Sequence, residues 1–133
     1  MALPTSTKGD ELLTEKRNAI IGTIRKDGTP QLTPVTFLWD GEALRFSTTK
    51  TRAKYYNLLR DPRITIIVDD HETTRYVTLY GSAEIDDRPE QIIDTIREIR
   101  RKYRGQAGAD SVTVEELQRD TRVLVTVRPE RIV

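Results

Sequence analysis

The sequence predicts a mainly β chain, an antiparallel barrel with peripheral helices in the α+β class. Three observations carry this. β-Favouring runs come in groups of three, two and one rather than alternating with helices. Asp-Gly pairs sit where tight antiparallel turns are needed, and the segments with helical spacing fall between the strand groups, in the order βββ-α-ββ-α-α-β.

Ala19 to Ile24 is a short β-favouring run, and Lys26-Asp27-Gly28-Thr29-Pro30 turns it into a second strand over Gln31 to Trp39. Asp40-Gly41 leads into a third, Glu42 to Thr49, where Leu44 and Phe46 alternate with Arg45 and Ser47. Thr51 to Arg60 spaces Ala53, Tyr55, Tyr56, Leu58 and Leu59 as a helix, which Asp61-Pro62 ends. Strands over Ile64 to Val68 and Tyr76 to Ile85 follow, with Gly81 marking a kink or bulge. Pro89 to Tyr103 places Ile92, Ile96, Ile99 and Tyr103 on one stripe, behind a capping-box pattern at Asp87-Arg88-Pro89-Glu90. Its basic run, Arg97, Arg100, Arg101, Lys102 and Arg104, is interleaved with acids and reads as a solvated face. Thr113-Val114-Glu115-Glu116 fits a second capping box, and Thr121 to Val127 is the last strand.

The 133 residues contain no Gly/Ser- or Pro-rich divider, which predicts one domain over 1–133. With 22 basic and 21 acidic residues the net charge is +1, so bulk attraction to nucleic acid or to an anionic membrane is not implied. The absence of cysteine excludes disulfides, thiolate catalysis and Cys-based zinc or iron–sulfur sites. Met1-Ala2-Leu3-Pro4-Thr5 is not the start of a secretory leader, and no apolar run approaches the ~20 residues of a membrane span, so a cytoplasmic location is expected.

His71, the single histidine, falls in a polar loop with Asp69, Asp70 and Glu72, and reads as a solvent-exposed residue among turn carboxylates rather than as a catalytic base or metal ligand. No metal site is expected. Ser47-Thr48-Thr49-Lys50-Thr51-Arg52-Ala53-Lys54 is the most informative stretch. Four hydroxyls and three cations meet where a strand hands over to a helix, a place suited either to a phosphate or to a polar cap with solvated cations. Pro34 cannot donate to a ladder, and marks an edge, a bulge or a place where a ligand replaces a strand.

Asp27-Gly28-Thr29-Pro30-Gln31-Leu32-Thr33-Pro34-Val35, with Arg52-Ala53-Lys54-x-x-Asn57-Leu58 and Arg60-Asp61-Pro62-Arg63, resembles the pyridoxamine-phosphate-oxidase-like, FMN-binding split-barrel superfamily. Within it the chain is most similar to the deazaflavin-dependent oxidoreductases that use coenzyme F420, and the similarity runs through Arg122-Val123-Leu124-Val125-Thr126-Val127. The resemblance implies a six-stranded split barrel, paired as a homodimer with two cofactor sites in interface grooves. It implies Arg52 and Lys54 as a phosphate-binding pair, Ser47, Thr48 and Thr49 beside that phosphate, and Gln31 and Thr33 on the strand facing the cofactor. Arg122 matches a position reaching the partner's cofactor, and Tyr76 is a ring-contact candidate.

The implied activity is hydride transfer from F420 to an electron-poor small-molecule substrate, with the cofactor carrying the chemistry and no catalytic side chain assigned. Thr36 and Tyr76 are hydroxyls available for proton delivery, and Arg25, Lys26 and Lys50 add cations for an acidic cofactor tail. Two alternatives share the fold: an FMN-dependent reductase, and a non-catalytic flavin or deazaflavin carrier or sensor. The chain ends without the C-terminal substrate-phosphate segment of pyridoxamine-phosphate oxidases proper, and its one histidine does not supply the ligation of haem-degrading relatives.

Overall fold

The computed structural model describes residues 7–133; the reading of Met1-Ala2-Leu3-Pro4-Thr5 lies outside them. The elements are α1 (Thr7–Thr14), β1 (Ala19–Ile24), β2 (Pro30–Val35), β3 (Leu38–Trp39), β4 (Leu44–Thr49), α2 (Ala53–Arg60), β5 (Arg63–Asp70), β6 (Arg75–Asp86), α3 (Pro89–Asp110), α4 (Val114–Arg119) and β7 (Arg122–Ile132). The strands form one antiparallel sheet in the order β2-β1-β5-β6-β7-β4-β3. There are seven strands, not six, because the single strand expected over Gln31 to Trp39 is two.

That division shapes the molecule. β2 and β3 lie at opposite edges of the sheet yet are joined by Thr36 and Phe37 alone. Two residues span at most about 10 Å, so the sheet curls until its edges nearly meet, giving a half-barrel. The concave face holds the core: Ile21 of β1, Phe46 of β4, Ile66 of β5, Leu79 of β6 and Val125 of β7 are fully buried, together with Phe37 at the joint. Each such side chain contributes roughly 1.5–3 kcal/mol on leaving water. β5 shows the alternation plainly, with Ile64, Ile66 and Val68 inward and Arg63, Thr65 and Ile67 outward.

α1 was not expected; Leu12 and Leu13 plug the core from it. α3 extends past Tyr103 to Asp110 through a kink at Gly105, whose φ of 74° is left-handed. Ile92, Ile96 and Ile99 form the expected buried stripe, which packs against Val112, Leu117 and Leu124. The capping box at Asp87 does not form. The Arg88 amide donates to Asp86 Oδ1 at 3.0 Å, and Asp87 turns to Lys50 instead. Thr113 does cap α4, accepting from the Glu116 amide at 3.1 Å.

The basic run on α3 is less solvated than its composition suggests. Arg97 donates to the Val112 carbonyl at 2.9 Å. Lys102, half-buried, donates to the Phe37 carbonyl at 3.1 Å over the Phe37 ring, and burial pushes its pKa down to about 8. Tyr103 accepts the Phe37 amide at 3.2 Å, so α3 grips both polar groups of the joint between the sheet's edges. β7 runs beyond Val127 because Pro129 pairs opposite Gly81 at a register shift, where the ladder does not require its missing N–H. The bulge expected at Gly81 is therefore present. His71 is exposed in the β5–β6 turn, and Asp70 there accepts from the Glu72 amide at 3.0 Å.

Candidate functional site

The β3–β4 register, Leu38 with Arg45 and Trp39 with Leu44, would set Thr36 opposite Ser47 and Val35 opposite Thr48 if β3 continued backwards. It does not, because the chain leaves β4 at Thr36–Phe37 to pair with β1. The wedge that remains is a pocket of about 190 Å³ lined by Pro34, Val35 and Thr36 on one side and Ser47, Thr48 and Thr49 on the other, with Arg52, Lys54 and Arg122 completing it. The pocket is thus a direct consequence of the strand switching partners.

Local chemistry keeps the wedge open. The Arg25 amide donates to the Thr29 carbonyl at 2.8 Å in the hairpin register, so odd-numbered β1 residues form the hydrogen-bonded pairs with β2. Pro30, Leu32 and Pro34 therefore turn their backbone groups to the free edge, where two prolines leave the Leu32 N–H as the lone donor. Such an edge resists pairing with another strand. β2 is an edge strand, one of the three readings that Pro34 allowed.

The pocket is electropositive and several of its polar groups are unmatched. Thr49 is paired directly with Arg122 across β4 and β7, which brings that guanidinium beside Arg52 from 70 residues away. Lys54 is buried on the inner face of α2; burial, then the Arg52 and Arg122 charges, depress its pKa below the usual lysine value. Arg122 is lowered as well, by burial first and then by Arg100. Thr48 Oγ1, Ser47 Oγ and Arg122 Nε are buried with no hydrogen-bond partner among the described residues. Arg52 occupies the N-cap of α2, where its side chain makes no cap bond. Three cations and two orphan hydroxyls make a donor set suited to an anion.

Six of the nine residues singled out in the sequence therefore converge: Ser47, Thr48, Thr49, Arg52, Lys54 and Arg122. Arg122 lines the pocket of its own chain. Gln31 and Thr33 lie further along β2, on the same side as Val35, where Thr33 Oγ1 is buried and unpaired and Gln31 Oε1 accepts from Asn57 Nδ2 at 2.9 Å. Tyr76 is not brought to the pocket: the residue is 60% exposed on the outer face of β6, opposite Asp69. Asn57 was visible in the sequence only as one letter of a motif. Its signal is an amide three residues after Lys54, on the buried face of the same helix.

A larger cleft of about 610 Å³ lies between β3–β4 and α3, but its guanidiniums are already engaged, Arg45 by Asp40, Arg97 by Val112 and Arg101 by Glu98. Among the described residues no group of three or more His, Asp or Glu is placed to hold a metal ion, and no helix is long and apolar enough to cross a membrane.

Known structures of similar shape cover nearly the whole chain. An F420 reductase is 30% identical, with a TM-score of 0.79 over 98% of both chains. The conserved hypothetical protein Rv2991 from Mycobacterium tuberculosis is 26% identical, with a TM-score of 0.78 over 98% of this chain and 84% of that one. General Stress Protein 26 from Bacillus anthracis shares the fold at 17% identity and a TM-score of 0.66, over 94% of this chain and 88% of that one. The pyridoxamine 5'-phosphate oxidase sequence profile matches residues 6–133, and this chain, an antiparallel half-barrel, belongs to that family of flavin-binding oxidoreductases.

Proposed function

We propose that the protein is an oxidoreductase that holds coenzyme F420 in the split between β2 and β4 and reduces an electron-poor small-molecule acceptor. The observation that carries this reading is the unmatched charge of the pocket: Lys54 is buried beside Arg52 and Arg122 with no carboxylate to neutralise it, and Thr48 Oγ1 and Ser47 Oγ are orphaned against it. A phosphate there would neutralise these cations and accept from the hydroxyl that faces it. The 30% identity to an F420 reductase favours the deazaflavin.

In this reading Arg52, Lys54, Arg122 and the hydroxyls of Ser47, Thr48 and Thr49 anchor the phosphate, while Gln31 and Thr33 line the way along β2 for the ring. When bound, the deazaflavin supplies a hydride donor. The chain's own part is to bind, orient and shield; Thr36 adds an exposed hydroxyl at the pocket's rim. A homodimer belongs to the same proposal. The outer face of the sheet carries Leu32, 68% exposed, beside Gly22, Thr65 and Tyr80 in one row and Pro34, Ile20 and Ile67 in the next. A second copy would cover that face and bring Tyr76 toward the neighbouring groove.

The test is a direct comparison of cofactors. Purified protein titrated with F420 and with FMN is expected to bind F420 more tightly, and added salt should weaken F420 more than FMN because its longer acidic tail is screened. Reduced F420 should then be oxidised by a quinone or nitro acceptor in the presence of the protein. Tighter FMN binding with copurifying yellow colour, or no oxidation across an acceptor panel, would refute the assignment.

A further inference from the structure

Behind the groove stands a chain of three side chains whose donor and acceptor roles are fixed. Arg60 Nη2 donates to Asn57 Oδ1 at 2.8 Å. A guanidinium has donors only, so the Asn57 atom it meets must be the oxygen, and the other end of that amide must be the NH2 group. That group donates to Gln31 Oε1 at 2.9 Å and to Thr23 Oγ1 at 3.1 Å. Gln31 is thereby held by its oxygen, and its own NH2 group, without a protein partner among the described residues and not sealed from solvent, is turned outward. Asn57 is 6% exposed and Thr23 is fully buried, so the centre of the relay lies in the core while its Arg60 end reaches the surface.

We propose that Asn57 is a positioning residue that orients the Gln31 amide with its NH2 group toward the groove along β2, making that end of the site a hydrogen-bond donor selective for a ring that carries an acceptor there. The inference rests on the flavin-type reading of the groove and adds its polarity. Placement supports it. Gln31 and Val35 share one side of β2, and four residues of strand separate them by about 13 Å, so a ligand anchored at Lys54 and Val35 extends its far end toward Gln31. Lys54 and Asn57 lie three residues apart on the buried face of α2, so one helix serves both ends. Free rotation of Gln31 would present an oxygen as readily as a nitrogen; the Arg60–Asn57 pair removes that ambiguity.

The carbonyl-bearing end of the ring is common to FMN and F420, so both serve as probes, with dissociation constants measured for wild type, Asn57→Asp, Gln31→Ala and the double variant. Aspartate at 57 keeps Arg60 but can only accept, so Gln31 must turn its NH2 group inward and show oxygen to the ring. Asn57→Asp and Gln31→Ala should each weaken the bound probe about three- to tenfold, one neutral hydrogen bond. The double variant should be no weaker than Gln31→Ala, and each single variant should shift the ring's absorption band. Arg60→Met, on the exposed last turn of α2, frees Asn57 to rotate and should cost about two- to threefold even if the aspartate variant does not fold. Additive losses in the double variant, an unshifted band, or wild-type affinity in both Asn57→Asp and Arg60→Met would overturn the proposal while leaving the cofactor reading intact. Wild-type protein that binds neither probe would overturn both.

Discussion

Lys50 Nζ stands 2.9 Å from Asp87 Oδ2, an ion pair that ties the entrance of α2 to the turn before α3. Lys50, Arg52 and Lys54 are equivalent in the sequence, as cations two residues apart, but the pair withdraws Lys50 from the anion pocket and leaves the other two facing it. Arg52→Ala and Lys54→Ala should each weaken cofactor binding about ten- to a hundredfold, the loss of one charge-assisted phosphate contact. Lys50→Ala should change it less than about threefold, since an exposed pair contributes little. Calorimetry on the three variants checks the contrast, and an equal loss for Lys50 would remove the distinction.

Lys54 also predicts a pH dependence. Its pKa in the free protein is depressed below 10.5 by burial and by its cationic neighbours, so it sheds its proton earlier than an ordinary lysine. An anion bound beside it favours the protonated form. Affinity for FMN or F420 should therefore begin to fall below pH 10.5 as pH rises, and Lys54→Met should lose most of that slope. A slope unchanged in the variant would assign the titration to another group.

Asp70 gives the fold an acid limit. Arg75 at 2.9 Å is the main reason its carboxyl titrates well below the ordinary range, with Arg17 at 3.5 Å adding to it. A carboxyl depressed in the folded state stabilises the fold above its unfolded value of 3.8, and that contribution is lost as pH falls below it. Asp70→Asn should lower the melting temperature at pH 7 and flatten its decline below pH 4. An equally steep acid limb in the variant would contradict this.

Gly81 is required by close approach rather than by its own dihedrals. A Cβ there would sit 3.0 Å from the Arg128 carbonyl oxygen and 3.2 Å from Val127 Cγ1. Gly81→Ala should destabilise by about 1–3 kcal/mol, through the β6–β7 bulge, in chemical denaturation. Wild-type stability would mean that the bulge relaxes freely.

The proposed dimer predicts a light-scattering mass of twice 15.3 kDa at micromolar concentration, and Ile67→Arg on the outer face should return it toward 15.3 kDa. A monomeric wild type would confine the cofactor site to one chain.

Much of this protein was determined by local sequence. The alternation of Leu44 and Phe46 with Arg45 and Ser47, the Asp-Gly turns, the Ile92–Ile96–Ile99 stripe and Gly81 as a bulge are local effects, and each appears where it was expected. The cluster from Ser47 to Lys54 was legible for the same reason, since its residues are adjacent in the chain. Tertiary structure decided what depends on partners far apart. Residues 31–39 look like one strand because strand propensity is blind to which neighbour a residue pairs with; pairing with β1 and then with β4 divides it at Thr36–Phe37 and opens the pocket. Lys50 and Lys54 read alike until Asp87, 37 residues beyond Lys50, takes one of them. Arg122 enters the site through a β4–β7 register, and Asn57 becomes informative only when Arg60, Gln31 and Thr23 surround it, because hydrogen-bond polarity is a property of the assembled network rather than of any one residue.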